Sequence, residues 1–201
     1  SDLLFVKTQT GALAGFTPLG LGVSFAPLVI LLASNFLMRG LNPGAANLLF
    51  WGVVSLIGAS LGTVVLMYTG ASVAMTLLIT AAAFGGLSLA GYTTKRDLSG
   101  MRAFVFYAMW GFVAVAIVMS LGAGFGLFSV GPMFLIMNAV GILLMAGLIA
   151  SETQNLKLTY YHFRDDAASL NALTSLGALN LYIAFVNLFR FLLYFLGGRR
   201  D

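Results

Sequence analysis

Residues 93–102 have the sequence TTKRDLSGMR, and this charged island separates two long runs that carry no charge. Before the island, Leu41–Tyr92 contains no Lys, Arg, Asp or Glu, and after it Ala103–Ser151 contains none. A soluble domain carries about 25% charged residues. Uncharged runs of this length are typical of a chain in lipid, and the island then indicates where the chain reaches water.

The composition of the whole chain predicts a polytopic membrane protein. Of its 201 residues, 60% are hydrophobic and only 8% are charged. Apolar runs of roughly 20 residues match a hydrocarbon core that is about 30 Å thick. A barrel strand is about ten residues of alternating polarity, whereas these runs are longer and apolar on both faces. We therefore expect an all-α transmembrane helix bundle.

Six strongly apolar spans are predicted within a single transmembrane helical domain that covers residues 1–201. They lie at about residues 19–38, 45–68, 71–92, 101–121, 128–150 and 173–195. The segment before the first span is too short and too mixed in polarity to be predicted as a further span.

The positive charges predict the orientation in the membrane. Arg39, the charged island, Lys157 and Arg164 all fall on one side of a six-span chain. The positive-inside rule places that side in the cytoplasm, or in the matrix of an organelle. The arginine pair at 199–200 opposes this assignment. It leaves two interpretations open, a full last span with the pair outside or a re-entrant last span.

Glu152 directly follows the second uncharged run and is a candidate ion or proton site. Ionisable residues at membrane depth are costly, so they are functional hypotheses by default. A simple water boundary at the end of the fifth span explains Glu152 equally well. Asn180, Ala184 and Asn187 share one face of the last helix. Asparagines hydrogen-bond across membrane helices, so this face is predicted to point inward and to add Asn180 and Asn187 to the candidate site.

Two further features favour packing or surface contacts. Arg190 lies within the sixth span, roughly 10 Å from the end of the helix. We predict that its side chain snorkels to the interface, with an anionic lipid or a partner subunit as alternative contacts. Gly58 and Gly62 form a GxxxG pattern, which predicts close helix packing within the chain rather than a dedicated dimer face.

No pattern in the sequence indicates catalysis, a resident metal or nucleic-acid binding. His162 is the single histidine and the chain has no cysteine, whereas a metal site needs three or four convergent ligands. We expect His162 in a polar loop beside Tyr160 and Tyr161, which are interpreted as interface anchors. The net charge of +4 is too small and scattered for a nucleic-acid surface. We therefore predict a protein of the lipid bilayer that is neither an enzyme nor a cofactor binder.

Four stretches together resemble the Bax inhibitor-1 family, also called the transmembrane Bax-inhibitor-motif family. They are Tyr68-Thr-Gly-Ala-Ser72, GYTTKRDLSG at 91–100, Glu152-Thr-Gln154 and ALNLYIAFVNLF at 178–189. The resemblance covers the whole chain and looks closest to alphaproteobacterial members. It implies a fold of seven membrane helices with the last one central, of which six spans are visible here.

The resemblance also implies a pH-sensitive leak channel, with calcium as the transported ion. The family's leak is attributed to two carboxylates that share a proton, one at the end of the sixth helix and one within the seventh. The first corresponds to Glu152, but the second aligns with Ala184, which can neither share a proton nor bind a cation. A basic residue expected near the end of the second helix aligns with Leu37, and Arg190 stands where the family usually has an apolar residue.

Two functions from different classes remain open. The first is a cation leak pathway in which Glu152 is the remaining acid and Asn180 and Asn187 supply oxygen ligands for a hard cation. The second is a non-conducting accessory subunit of a larger complex, which the incomplete acidic pair and Arg190 motivate. Either would be an integral protein of a bacterial or mitochondrial inner membrane, with the island on the cytoplasmic or matrix side.

Overall fold

Four long helices dominate the computed structural model, which describes residues 5–7, 13–16, 68–124 and 131–198 and separate positions between 51 and 65. The helices are α1 (Gly70–Thr93), α2 (Ser99–Gly124), α3 (Gly131–Phe163) and α4 (Ala167–Leu196). All four are long and apolar enough to cross a membrane. Two short antiparallel strands, β1 (Phe5–Lys7) and β2 (Leu13–Phe16), precede them in the chain. The predicted class, an all-α membrane bundle, is confirmed.

The third to sixth predicted spans fall on α1 to α4. The span predicted at 19–38 lies outside the described residues, as do Leu37 and Arg39. The described positions of the span predicted at 45–68 are helical from 51 to 65. Because a helix satisfies its own backbone hydrogen bonds, each of these segments can cross lipid without a partner for its backbone.

The polar loop predicted around His162 is wrong, because most of that segment is helix. Helix α3 continues to Phe163, so His162 lies in its last turn. Only three residues separate α3 from α4, and the side chain of the last one, Asp166, accepts a hydrogen bond from the backbone N–H of Ser169 at 3.2 Å. Hydropathy marks the end of the apolar run, but a helix can continue beyond that point into water.

The end of α4 is hydrogen-bonded to the start of α1. The backbone N–H of Thr69 donates to the carbonyl of Gly198 at 3.2 Å. In return, the N–H of Gly198 donates to the hydroxyl of Ser72 at 3.0 Å. The island follows the opposite end of α1, so the C-terminal end of α4 and the island lie at opposite ends of the described bundle. Helix α4 therefore runs along the length of this bundle, as the interpretation of a full last span expects.

Helix α3 packs against the other three helices, and α4 is the most buried of the four. Glycines allow these close approaches, as small residues do in membrane bundles. A Cβ on Gly91 of α1 would meet the carbonyl of Ala150, and one on Gly177 of α4 would meet Leu156. A Cβ on Gly141 of α3 would lie 2.8 Å from a ring carbon of Phe191 in α4.

The GxxxG pair does not take part in these approaches. Gly58 and Gly62 are both exposed, and a Cβ built on either one would have no atom within 4 Å. The intramolecular packing predicted for them is therefore not seen in the part of the chain that the structure describes. The spacing of two glycines defines a helix face, but it does not say whether that face meets protein or lipid.

Side chains of α3 fasten the charged island to the bundle. The Gln154 amide accepts a hydrogen bond from the N–H of Leu98 at 2.8 Å and donates one to the carbonyl of Arg96 at 2.8 Å. Lys157 donates to the carbonyl of Tyr92 at 2.8 Å, and its ammonium lies 4.8 Å from the centre of the Tyr92 ring. One helix thus holds the island at its middle and at the residue that precedes it.

A carboxylate inside the island fixes the start of α2. Asp97 accepts hydrogen bonds from the backbone N–H of Ser99 at 2.8 Å and from its hydroxyl at 2.9 Å. These bonds hold the pKa of the Asp97 carboxyl below its ordinary value. A lowered pKa stabilises the folded chain at pH values above the ordinary one, and this contribution is lost when acidification protonates the folded carboxyl. Asp97 therefore stays ionised across the neutral range.

We expect Gly91→Ala to destabilise the bundle by about 1–3 kcal/mol, because its Cβ would force α1 away from the backbone of α3. Gly86→Ala on the same helix is the matched control, since a Cβ there has no atom within 4 Å. Thermal unfolding in detergent measures both variants. Equal unfolding temperatures for the two would contradict the close α1–α3 contact.

We expect Gln154→Leu to release the island, because the N–H of Leu98 and the carbonyl of Arg96 would lose their hydrogen-bond partner. Loss of the partner of a buried group costs about 1–3 kcal/mol of folding free energy. Trypsin should then cleave faster after Lys95 and Arg96. The control is Thr153→Val, since the Thr153 hydroxyl donates to the carbonyl of Ile149 within α3 at 2.8 Å. If both variants are cleaved at the wild-type rate, Gln154 does not hold the island.

Candidate functional site

The carboxylate of Glu152 lies at a junction of three helices near the island. Glu152 belongs to α3 and is only 3% exposed. From α2, the guanidinium Nε of Arg102 approaches its Oε2 at 3.6 Å. From α4, the amide Nδ2 of Asn180 donates to its Oε1 at 3.0 Å. Both oxygens of one buried carboxylate are therefore engaged by side chains from two other helices.

Arg102 joins the buried site to the rim of the bundle. Its side chain is 42% exposed, whereas that of Glu152 is 4% exposed. A second nitrogen of the guanidinium donates to Oδ1 of Asn155 at 2.6 Å. Positions 152 and 155 are one helical turn apart on α3, so they present both acceptors on the same face. The arginine thus reaches inward from water and neutralises a carboxylate that would be costly to bury alone.

Two buried oxygen atoms lack a hydrogen-bond partner among the described residues. They are Oδ1 of Asn180 and the hydroxyl Oγ of Ser88. Asn180 turns its amide nitrogen toward Glu152, so its oxygen is left over. Ser88 lies one turn from Phe84, whose ring packs edge-on against Phe185 of α4 at 5.4 Å between centroids. Oxygen atoms of this kind suit a hard cation such as calcium better than a soft one.

The structure separates Asn187 from this cluster. Its amide nitrogen donates to the carbonyl of Ile183 in its own helix at 2.9 Å, and the residue is 3% exposed. Ala184 is 0% exposed and belongs to the apolar core. Of the three predicted site residues, Glu152 and Asn180 are in direct contact, and Asn187 lies two helical turns beyond Asn180.

Arg190 is buried within the bundle, with 7% of its surface exposed. The predicted snorkelling to the lipid interface does not agree with this burial, and a direct lipid contact is wrong for the same reason. Hydropathy shows that a segment spans the membrane, but not that its helix is central. Because α4 is the most buried of the four helices, Arg190 turns toward protein although it lies within an apolar span.

Sequence reasoning missed two residues of the site. The sequence marks Arg102 only as one of the charges that orient the chain, and Gln154 only as a part of the family motif. The sequence signal for Arg102 was weak, because it is the last charged residue before a long uncharged run. Within the ranges that the structure describes, no three His, Cys, Asp or Glu residues come together as a metal site. A cation at Glu152 would therefore meet one carboxylate and neutral oxygens.

Comparison with known proteins places the chain in a family. The model described as "Inhibitor of apoptosis-promoting Bax1" matches residues 3–201. An uncharacterized protein of Caulobacter vibrioides is 52% identical over 100% of the chain and 77% of its own length. The inner membrane protein YbhL of Escherichia coli K12 is 36% identical over 90% of the chain and 75% of its own length. A protein of Rickettsia prowazekii is 37% identical over 98% of the chain and 77% of its own length.

The family resemblance seen in the four sequence stretches is thereby confirmed. The chain is an integral membrane protein that belongs to the Bax inhibitor-1 family.

Proposed function

We propose that this protein is a cation leak pathway of a bacterial inner membrane, that it passes calcium, and that Glu152 is its ion site on the cytoplasmic side. The observation that carries the proposal is the burial of the Glu152 carboxylate, 3% exposed, where α2, α3 and α4 meet. A buried carboxylate next to an uncharged span is costly. Its position between helices suits an ion path better than a purely structural role.

The neighbouring groups favour weak and transient binding. A path must bind its ion well enough to admit it and weakly enough to release it. One carboxylate and the unpartnered amide oxygen of Asn180 offer a small number of hard oxygen ligands. High-affinity calcium sites use six to eight oxygen ligands. A sparse site of this kind is therefore suited to passage rather than to storage.

The contact between Arg102 and Glu152 accounts for a closed conformation of the pathway. Its guanidinium lies where a cation would approach Oε2 of Glu152, at 3.6 Å from that oxygen. A cation and a guanidinium cannot both neutralise the same carboxylate. Because the arginine side chain is 42% exposed, it can turn into water without crossing the apolar core. Opening then consists of releasing Arg102 from Glu152.

Glu152→Gln should lower calcium flux by about tenfold or more, because it removes the charge that attracts the cation and keeps the shape of the side chain. The measurement is calcium entry into proteoliposomes that contain a trapped indicator. Asp165→Asn is the matched control, since the Asp165 side chain is 96% exposed and lies outside the bundle. It should conduct as the wild type does.

The proposal would be overturned if the wild-type protein conducts no calcium. It would also be overturned if the Glu152→Gln variant conducts calcium as well as the wild type does. The accessory-subunit alternative rests on one observation, the complete burial of Ala184 where the family's second acid would stand. Absence of flux together with co-purification of a second membrane protein in gentle detergent would replace the leak pathway by that alternative.

Ala184→Asp should make the flux depend more steeply on pH between about pH 6 and pH 8. Its carboxyl would stand one turn from Asn180, which contacts Glu152, and two nearby carboxylates can share a proton. Ala184→Asn is the control of equal size without a titratable group. Identical pH profiles for the two variants would show that position 184 lies too far from Glu152 to form the pair.

A further inference from the structure

The charged island carries basic side chains that no carboxylate of the described residues neutralises. Lys95 and Arg96 are exposed, and neither forms an ion pair within the described part of the chain. Lys157 of α3 adds a third positive charge beside them. Its ammonium donates to the carbonyl of Tyr92 at 2.8 Å and lies 4.8 Å from the centre of the Tyr92 ring, so its partners there are uncharged.

The carboxylates at this end of the bundle are already engaged. They are Asp97, Glu152, Asp165 and Asp166, whose contacts include Ser99, Arg102, Arg164 and Ser169 in that order. The one nearest in sequence to Lys95 and Arg96 is Asp97. It lies at the N-terminal end of α2, where the helix dipole offsets its charge. The basic side chains of the island therefore keep their charge for an anion from outside the described bundle.

These basic groups lie at the level where lipid meets water. Tyr92 is the last residue of the uncharged run before the island, and it is 51% exposed. Tyrosines are enriched at the headgroup level of a bilayer. Lys95 and Arg96 follow within four residues, and their long side chains can extend along that level while their charged ends stay in water.

An exposed apolar surface lies directly below the island on both helices that the island joins. Leu89 stands one turn before the island on α1 and is 64% exposed. Phe104 stands two residues after the island on α2 and is 67% exposed. The surface thus presents basic groups first and apolar side chains next, in the order of a charged headgroup and its acyl chains. A free phosphate or a soluble acidic partner would use only the basic part.

We propose that the island and Lys157 bind the headgroup of an anionic phospholipid, with its acyl chains against Leu89 and Phe104. The guanidinium of Arg96 matches the geometry of a phosphate, and the two lysines act as point charges. A zwitterionic lipid has the same phosphate, but its own cation is repelled by these groups. The site therefore prefers the anionic lipid. This binding does not depend on the proposed leak function.

The test is native mass spectrometry of the full chain in detergent, mixed with phosphatidylglycerol or with phosphatidylcholine of the same acyl chains. The wild type should retain more phosphatidylglycerol than phosphatidylcholine. Lys95→Gln and Arg96→Gln should each weaken phosphatidylglycerol binding about fivefold and leave phosphatidylcholine binding unchanged. Arg164→Gln is the matched control, because it removes the same charge from the same end of the bundle at a side chain that already lies 3.8 Å from Asp165.

A second arm separates the lipid from a soluble anion. Glycerophosphoglycerol, the headgroup without acyl chains, should not displace phosphatidylglycerol at an equal concentration. Phe104→Ala should weaken phosphatidylglycerol binding, although it leaves every charge in place. Displacement by the headgroup alone, together with a Phe104→Ala variant that binds as the wild type does, would identify a phosphate site and overturn the lipid site.

Equal retention of the two lipids by the wild type overturns the inference. An equal loss of phosphatidylglycerol in Arg164→Gln overturns it too, since the effect would then be one of net charge rather than of the island. Unfolding temperatures measured without lipid should be the same for all of the charge variants, because the substituted side chains are exposed. The leak function fails separately, on calcium uptake that is absent or indifferent to Glu152.

Discussion

A carboxylate inside a membrane bundle has to be neutralised where it stands, and this requirement joins three of the four described helices. Glu152 of α3 takes a guanidinium from α2 and an amide from α4. Neither partner alone would satisfy both carboxylate oxygens in a site of low dielectric constant. The positions of α2 and α4 relative to α3 are thus tied to one side chain near the island end of the bundle.

The island depends on the same helix for a different reason. A loop at the membrane boundary carries backbone groups that need partners, and Gln154 supplies two of them to the N–H of Leu98 and the carbonyl of Arg96. Asp97 then fixes the start of α2 through Ser99. Arg102 lies in the first turn of α2, so the hydrogen bonds of the island determine where its guanidinium points. The loop and the buried ion pair therefore form one connected unit.

The sequence predicted the helices well because the constraint that lipid imposes is compositional. A span has to be apolar over its whole length, so the uncharged runs located α1 to α4 without knowledge of any contact. The same property explains why α3 was predicted too short, since its last turns to Phe163 are polar and yet helical. Composition shows where lipid ends, and it does not show where a helix ends.

The side-chain contacts of the site were harder to predict, because each depends on which face of a helix is central. Arg190 was expected at a lipid surface and is buried, whereas Gly58 and Gly62 were expected in a helix contact and are exposed. The close approaches use isolated glycines instead, such as Gly91 and Gly177. A period of 3.6 residues defines a face, but only the neighbouring helices decide what that face meets.

The alanine at position 184 and Arg102 have a common electrostatic consequence. Where the resemblance implies two carboxylates, the described bundle buries one, Glu152, with Arg102 at its rim. Two nearby carboxylates can share a proton, whereas a single buried carboxylate is neutralised by its partners, which here are the Arg102 guanidinium and the Asn180 amide. Under the proposed leak function, admission of a cation to Glu152 depends on displacing the guanidinium of Arg102 rather than on losing a shared proton.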